Sequence, residues 1–301
     1  MRDLNLKVKE IISSNFNINK NNLIINFIDN SILDRNYVYT FYLDKKEYVI
    51  KISYSREKWS NEINVLKLLN ENYFVPNIVS YGEKNSLNYI VMKKIIGYNL
   101  VDSIHSFSKK SQLKILNEIG KNLALIHGTD KYYYYGWDKN TNEASLIETR
   151  KKKDKSIIEK ISKLEFQEIE IVKKGIEILN KDRSKLKELD PKLTHKDFSL
   201  RNILVDDKGE ITGIIDYEHS EPEDPCLDIC SMFHTDILDD KLFFNSFKNG
   251  YEKILNFPEN FLKNKRYYMV NTGLYLYGRF SDKGMGANKR GIELIKNSLN
   301  Y

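Results

Sequence analysis

His195-Lys196-Asp197-Phe198-Ser199-Leu200-Arg201-Asn202 runs straight into Ile203-Leu204-Val205, a polar turn at Asp206-Asp207-Lys208-Gly209, and then Ile211-Thr212-Gly213-Ile214-Ile215-Asp216. The two short runs are apolar and rich in β-branched residues, and a glycine marks the segment between them. Together they signal a β-hairpin. Pairing the strands brings Asn202, the residue before the first, close to Asp216, the residue after the second. An amide oxygen and a carboxylate so placed suit a hard cation such as Mg2+, which takes one or two protein oxygens and fills its shell with water and phosphate. Asp197 lies in the loop just upstream, free to face an incoming hydroxyl. Phosphoryl transfer asks little covalent chemistry of a protein, so positioning, metal ions and one base suffice. The ordered pattern H-x-D-x-x-x-x-N, hairpin, Asp therefore points to that chemistry.

The same stretch resembles the catalytic and metal-binding loops of the aminoglycoside phosphotransferase and small-molecule kinase family, which has a protein-kinase-like fold. That family usually carries His-Gly-Asp followed by an Asn, with a later Ile-Asp-Phe or Ile-Asp-Trp. Here stand His195-Lys196-Asp197, Asn202 and Ile215-Asp216-Tyr217. The resemblance implies Asp197 as catalytic base and Asn202 and Asp216 as ligands of Mg2+. It also implies an α+β fold of two lobes, an antiparallel-sheet N-lobe and a mainly helical C-lobe. Lys196 replaces the family's usual small residue; no catalytic group is lost, but the surroundings of the base change.

Other parts of the chain are read against that resemblance. Tyr48-Val49-Ile50-Lys51-Ile52 is an apolar strand with one central lysine, as the family uses to reach the α- and β-phosphates. The next helix, expected over Trp59 to Leu69 from the recurrence of Ile63, Leu66 and Leu69, carries Glu62, the implied ion-pair partner of Lys51. Glu57 competes for that role but precedes the apolar period. The phosphate-covering loop falls within Phe27 to Tyr39 and contains no glycine, whereas close backbone approach to phosphate commonly uses one. Family members often have serine and asparagine there, which singles out Ser31 and Asn36. The strand Leu87 to Met92 resembles the one leading into the hinge, where a nucleotide base, of ATP or GTP, would meet the backbone around Val91, Met92 and Lys93. His127 ends a long helix, a position that the helix dipole favours for histidine, and receives no chemical role.

The organisation expected is an N-lobe over residues 1–93, a connector over 94–99, and a C-lobe over 100–301 holding the catalytic loop and acceptor site. Helices are expected near Lys109–His127, Lys155–Asn180, Asp239–Leu255 and Phe261–Ser298. A hydrophobic share of 41% and a charged share of 30% are ordinary for a globular protein. No run approaches the roughly 18 apolar residues of a spanning helix, and the first residues do not read as a signal peptide. Cys226 and Cys230 are the only cysteines, too few for a zinc site and consistent with a reduced, cytoplasmic protein. Arg150-Lys151-Lys152-Lys153 could suggest nucleic acid, but the mixed charge that follows reads as a solvated helix face. The net charge of +6 is spread evenly. A monomer without nucleic-acid or membrane partners is expected. The aromatic run Tyr132 to Trp137 would either stack on a ring of a ligand or pin a loop.

From Asp216 to Asp240 there are nine carboxylates and no lysine or arginine. An acidic lining directly after the metal-binding Asp would attract a polycation, and aminoglycosides are polyamines rich in hydroxyls. Glu218, Glu221, Asp236 and Asp239 are the candidate acceptor contacts. The competing reading has Asp224 capping a helix and Asp228 pairing with Arg201 or His195. The reading is an antibiotic-resistance phosphotransferase acting on a small cationic acceptor. The alternatives are a metabolic kinase for choline, an amino alcohol or a sugar, a macrolide kinase, and a nucleotide-binding regulator without turnover. A protein kinase is disfavoured, since no Ala-Pro-Glu-like element follows Asp216.

Overall fold

The computed structural model describes residues 2–30, 36–69, 74–137, 145–164, 170–280 and 287–299. In chain order these form α1 (Arg2–Phe16), β1 (Ile25–Asn30), β2 (Asn36–Leu43), β3 (Lys46–Ser53), α2 (Arg56–Leu68), β4 (Ile78–Lys84), β5 (Leu87–Lys93), β6 (Tyr98–Asn99) and α3 (Leu100–Ser103). Next come α4 (Lys109–His127), α5 (Leu146–Ile161), α6 (Glu170–Asp182), β7 (Lys192–Thr194), β8 (Ile203–Val205), β9 (Ile211–Ile214) and β10 (Glu221–Glu223). The chain closes with α7 (Cys226–Ser231), α8 (Lys241–Tyr251), α9 (Glu259–Lys263), α10 (Lys265–Phe280) and α11 (Ala287–Ser298).

Two compact units result, Met1–Ser103 with Arg201–Ser220, and Ile104–Leu200 with Glu221–Tyr301. Against the expected division into 1–93, 94–99 and 100–301, residues 94–103 and the hairpin both group with the first unit. The physical reason is β6, which lies antiparallel to β8 with Tyr98 opposite Val205 and Asn99 opposite Leu204. The Asn99 amide also donates to the Arg201 carbonyl at 2.7 Å. Gly97 permits this approach, since a Cβ there would lie 2.9 Å from the Val205 carbonyl oxygen.

The first unit is built on an antiparallel sheet in the order β1-β2-β3-β5-β4. Alternation along β3 puts Ile50 and Ile52 into one core with Tyr39, Phe41, Leu87, Tyr89 and Val91. Leu4, Val8, Ile11 and Ile12 of α1 complete it, each contributing roughly 2 kcal/mol by burial. The expectation for this lobe, a sheet with a helix over Trp59 to Leu69, does not include α1, although those four positions recur at helical spacing. Lys51 falls on the opposite face of β3, where α2 lies. Ser55 starts α2 by accepting from the Lys58 amide, and the helix buries Glu62, Ile63, Val65 and Leu66.

In the second unit α4 runs from Lys109 to His127 as its periodicity predicts, with Ser108 capping its start. It crosses α8 at backbone contact, because Gly120 meets the Phe247 carbonyl and Gly250 meets the Asn117 carbonyl, leaving no room for a Cβ at either. The single helix expected over Lys155–Asn180 is instead α5 and α6. Ser145 accepts from the Glu148 amide at 3.3 Å and so starts α5 at Leu146, ahead of the apolar period used to place it. The helix expected from Asp239 begins at Lys241, because Asp240 caps it by accepting from the Leu242 amide at 2.7 Å. The long stretch Phe261–Ser298 divides into the end of α9, then α10 and α11. No helix among the described residues is long and apolar enough to cross a membrane.

Candidate active site

In the first unit the site is assembled around one ammonium group. Lys51 Nζ lies 2.8 Å from Glu62, 2.7 Å from Asp216 and 3.0 Å from Glu218. The lysine is only 7% exposed, so burial works against its charge. The carboxylates of Asp216, Glu62 and Glu218 outweigh that penalty and hold it well above the ordinary lysine range. Glu62 moves up in turn, because burial and the neighbouring acids Asp216 and Glu218 oppose the pull of Lys51. Glu57 is not involved in this cluster.

Glu218, expected as an acceptor contact, is also a member of this cluster. It is 7% exposed, accepts from the buried Asn36 side chain, and pairs with Lys58 at 3.1 Å as well as with Lys51. Lys58 Nζ also lies 2.8 Å from His219 Nε2. The Asn61 amide donates to the Glu218 and Ser220 carbonyls at 3.1 and 2.8 Å. Lys58, Asn61 and Glu62 share one face of α2, so this helix grips the whole segment after Asp216. Sequence reasoning missed Lys58 and Asn61, although Lys58 and Glu62 stand at i,i+4, the spacing that places side chains together.

The hairpin forms with Ile203 opposite Ile214, and the Ile215 amide donates to the Asn202 carbonyl at 2.9 Å. Asn202 and Asp216 thus bracket one two-stranded element. Asp216 takes a left-handed backbone, φ +71°, which aspartate tolerates better than most residues. Three carboxylates, those of Glu62, Asp216 and Glu218, converge here. Glu62 and Glu218 are buried, whereas the Asp216 side chain is 37% exposed. One exposed carboxylate and an amide oxygen on the same hairpin are hard donors of the kind a magnesium ion takes.

The hinge and loop positions fare unevenly. Val91 and Met92 lie in β5 with β3 on one side and β4 on the other, so sheet pairing occupies their backbone. The Lys93 amide donates to the Asn77 carbonyl and the Lys94 amide to Glu47, at 3.0 and 3.1 Å. Sheet pairing thus takes up backbone groups at Val91, Met92 and Lys93, the positions expected to meet a nucleotide base. Asn36 starts β2 and belongs to the lysine cluster; Ser31 lies outside the described residues.

In the second unit the loop bearing Asp197 is pinned by its backbone. Asp228 of α7 accepts from the His195 and Lys196 amides, both at 2.7 Å. The Asp197 amide donates to His195 Nδ1 at 3.3 Å. His127 Nε2 sits 3.1 Å from Asp228, and its Nδ1 sits 2.8 Å from the Tyr251 hydroxyl. His127 thus braces the carboxylate that holds the loop. Asp228 meets the backbone of His195, one of the two partners considered for it. Lys196 has φ +63°, a conformation glycine adopts freely and lysine rarely, which explains the small residue that the resemblance leads one to expect. Its ammonium group contacts Glu221.

An ionic chain continues inward from that contact. Lys153 pairs with Glu221 at 3.3 Å and contacts Glu223, and the buried Arg150 donates to Glu223 at 2.7 Å. Burial, then the cations Lys196 and Arg150, push Lys153 down to about 7, although its side chain keeps 40% exposure. The run Arg150 to Lys153 is therefore not a uniformly solvated face. Arg150 and Lys153, three apart on α5, turn to the acids of β10, while Lys151 and Lys152 are exposed.

The acidic stretch 216–240 is mostly consumed by such partners. Glu221, expected as an acceptor contact, is shared by two lysines, Lys153 and Lys196. Glu223 pairs with Arg150, and Asp224 accepts from the Cys226 amide and the Tyr268 hydroxyl at 3.0 and 2.9 Å. Asp239 pairs with Arg290 at 3.0 Å, and Asp240 caps α8. Asp236 is exposed and has no ion-pair partner among the described residues. The basic partners come from distant positions, so a local count of charge could not find them. In the aromatic run, Tyr135 is buried with its hydroxyl donating to the Leu189 carbonyl at 2.6 Å, and the Gly136 amide donates to the Pro222 carbonyl at the same distance. Tyr133 and Trp137 remain exposed.

A five-stranded antiparallel sheet with a lysine paired to a helix glutamate, followed by a helical unit carrying the H-x-D loop, defines a protein of the kinase-like class. The chain belongs to the phosphotransferase enzyme family APH, whose model matches residues 34–259. Solved structures show the same fold. A thermostable mutant of aminoglycoside phosphotransferase APH(4)-Ia, in ternary complex with AMP-PNP and hygromycin B, matches with a TM-score of 0.74 at 16% identity, over 98% of each chain. Spectinomycin phosphotransferase APH(9)-Ia, in complex with ADP and spectinomycin, matches with a TM-score of 0.67 at 15% identity, over 97% of this chain and 93% of that one. ADP-bound aminoglycoside phosphotransferase APH(2'')-Ib matches with a TM-score of 0.60 at 17% identity, over 96% of each chain. No curated protein sequence matches significantly.

Proposed function

We propose that this phosphotransferase moves the γ-phosphoryl group of a nucleoside triphosphate to a hydroxyl of a small cationic acceptor, an aminoglycoside. What carries the reading is one ordered set inside the family-matched stretch: Lys51 held charged among carboxylates, Asp197 on a pinned loop, and Asn202 and Asp216 bracketing one hairpin. Asp197 orients the acceptor hydroxyl and takes its proton. Lys51, fixed by Glu62, steadies the phosphates. Asn202 and Asp216 would hold Mg2+, which when bound neutralises phosphate charge.

The acceptor class is tested by nucleoside diphosphate release from ATP and GTP with Mg2+, across aminoglycosides, macrolides, choline, amino alcohols and sugars. Aminoglycoside-stimulated release that falls by about 10³-fold in Asp197→Ala, with nucleotide affinity unchanged, is the expected outcome. Release stimulated by choline or a sugar alone would replace the acceptor. One observation favours that second reading, a metabolic acceptor of lower charge: the stretch 216–240 keeps few carboxylates unpaired.

A further inference from the structure

We propose that Lys196 is a positioning residue for Asp197, tethering the catalytic loop through Glu221. The inference rests on the reading of Asp197 as the base. Three observations inside the second unit carry it. First, β10 lies antiparallel to β7 with Glu221 opposite Thr194, and the Thr194 hydroxyl donates to the Glu221 carbonyl at 2.8 Å. Glu221 is thus fixed beside the residue that precedes His195. Second, the Lys196 side chain returns to the Glu221 carboxylate, which closes a small ring through Thr194, His195 and Lys196. Third, Glu221 is itself held by Lys153 at 3.3 Å, and Lys153 is linked through Glu223 to the buried Arg150. The far end of the tether is therefore an acid with further contacts that lead to the buried Arg150.

Asp228 fixes the two amides that enter the turn. The peptide after Lys196 has a longer contact, its Asp197 amide donating to His195 Nδ1 at 3.3 Å, and is set besides by the torsions of Lys196. A lysine at φ +63° is an unfavourable choice for the backbone, and the ring through Glu221 supplies the reason for it. With the side chain anchored, the left-handed turn is locked and the next residue, Asp197, is presented in one direction. Glycine would adopt the turn easily and leave it free to change.

Hydrogen–deuterium exchange of the full chain over residues 195–202 tests the tether without requiring turnover. Lys196→Gly, Lys196→Met and Glu221→Gln are expected to raise exchange there by about tenfold, while Lys196→Arg restores the wild-type pattern. The thermal midpoint of Lys196→Gly is expected to stay within about 3 °C of wild type, because glycine suits the backbone. With any panel acceptor that stimulates wild-type release, kcat should fall about tenfold in the first three variants and KM for ATP should not change. Unchanged exchange in Lys196→Met and Glu221→Gln overturns the tether. Loosened exchange with kcat unaltered overturns its positioning role. A wild type that binds ATP and shows the exchange difference, yet turns over no acceptor, overturns the phosphotransfer reading of Asp197 and this role with it.

Discussion

The lysine cluster of the first unit and the ionic chain of the second are made from the same residue types with opposite balance. Around Lys51 three carboxylates face two ammonium groups, Lys51 and Lys58. Around Lys153 three cations, Lys153, Lys196 and Arg150, face the two carboxylates of Glu221 and Glu223. The consequence is read in the lysines themselves. Excess acid holds Lys51 well above its ordinary range despite burial, whereas burial and excess base bring Lys153 down to about 7. Neighbouring carboxylates of one acidic run supply both arrangements, Asp216 and Glu218 to the first unit and Glu221 and Glu223 to the second. The sign of a segment's charge does not carry over to the sites it helps to build.

The largest effect should come from removing the central charge of the first cluster. Lys51→Met leaves three converging carboxylates without their main partner and should cost about 4 kcal/mol of stability, measured by urea unfolding. A loss below about 1 kcal/mol would show that the cluster is not ionised as described. Arg150→Met should cost about 3 kcal/mol by leaving the buried Glu223 with Lys153 as its one cation, and the double variant Arg150→Met/Glu223→Leu should recover much of it. If the double variant is as unstable as the single, packing rather than charge explains the loss.

Titration separates the two regions by direction. Burial opposes the charge of Glu218, but Lys51 and Lys58 hold it below the ordinary glutamate value of 4.5. The stability it adds is present above that value and is lost as pH falls through the folded one. Lys153 behaves in the other sense. Between about 7 and the ordinary lysine value of 10.5 the unfolded chain holds a proton that the folded chain lacks, so stability from this site rises with pH across that window. Its partial exposure limits the gain to about 1 kcal/mol. Unfolding free energies from pH 4 to pH 9 should show Glu218→Gln flattening only the acid limb and Lys153→Met only the alkaline rise. The opposite assignment would invert the charge balance argued for each region. Lys58→Met, which removes the outer cation of the first cluster, should cost the least, about 0.5–1 kcal/mol by the same unfolding measurement.

Elements with strong local signals were legible in the sequence. The hairpin could be read from β-branched runs around a glycine turn, and α4 from its periodicity between Ser108 and Gly128. The pairing of Lys51 with Glu62 could be approached because the two sit on consecutive elements. Partners fixed by tertiary structure could not. Nothing near Asp228 announces that it receives two loop amides and is braced by His127, 101 residues away. Nothing near Arg150 announces Glu223, 73 residues on. The start of α5 was missed because its cap at Ser145 precedes the apolar pattern used to place the helix.

The left-handed backbone of Lys196 bears on how such a protein would respond to selection for heat resistance. A non-glycine residue there costs about 1 kcal/mol, so a screen that scores only survival of the fold should recover Lys196→Gly early. The same exchange would release the loop carrying Asp197. Thermal hardening and turnover would then be traded against each other at a single position, the residue before Asp197.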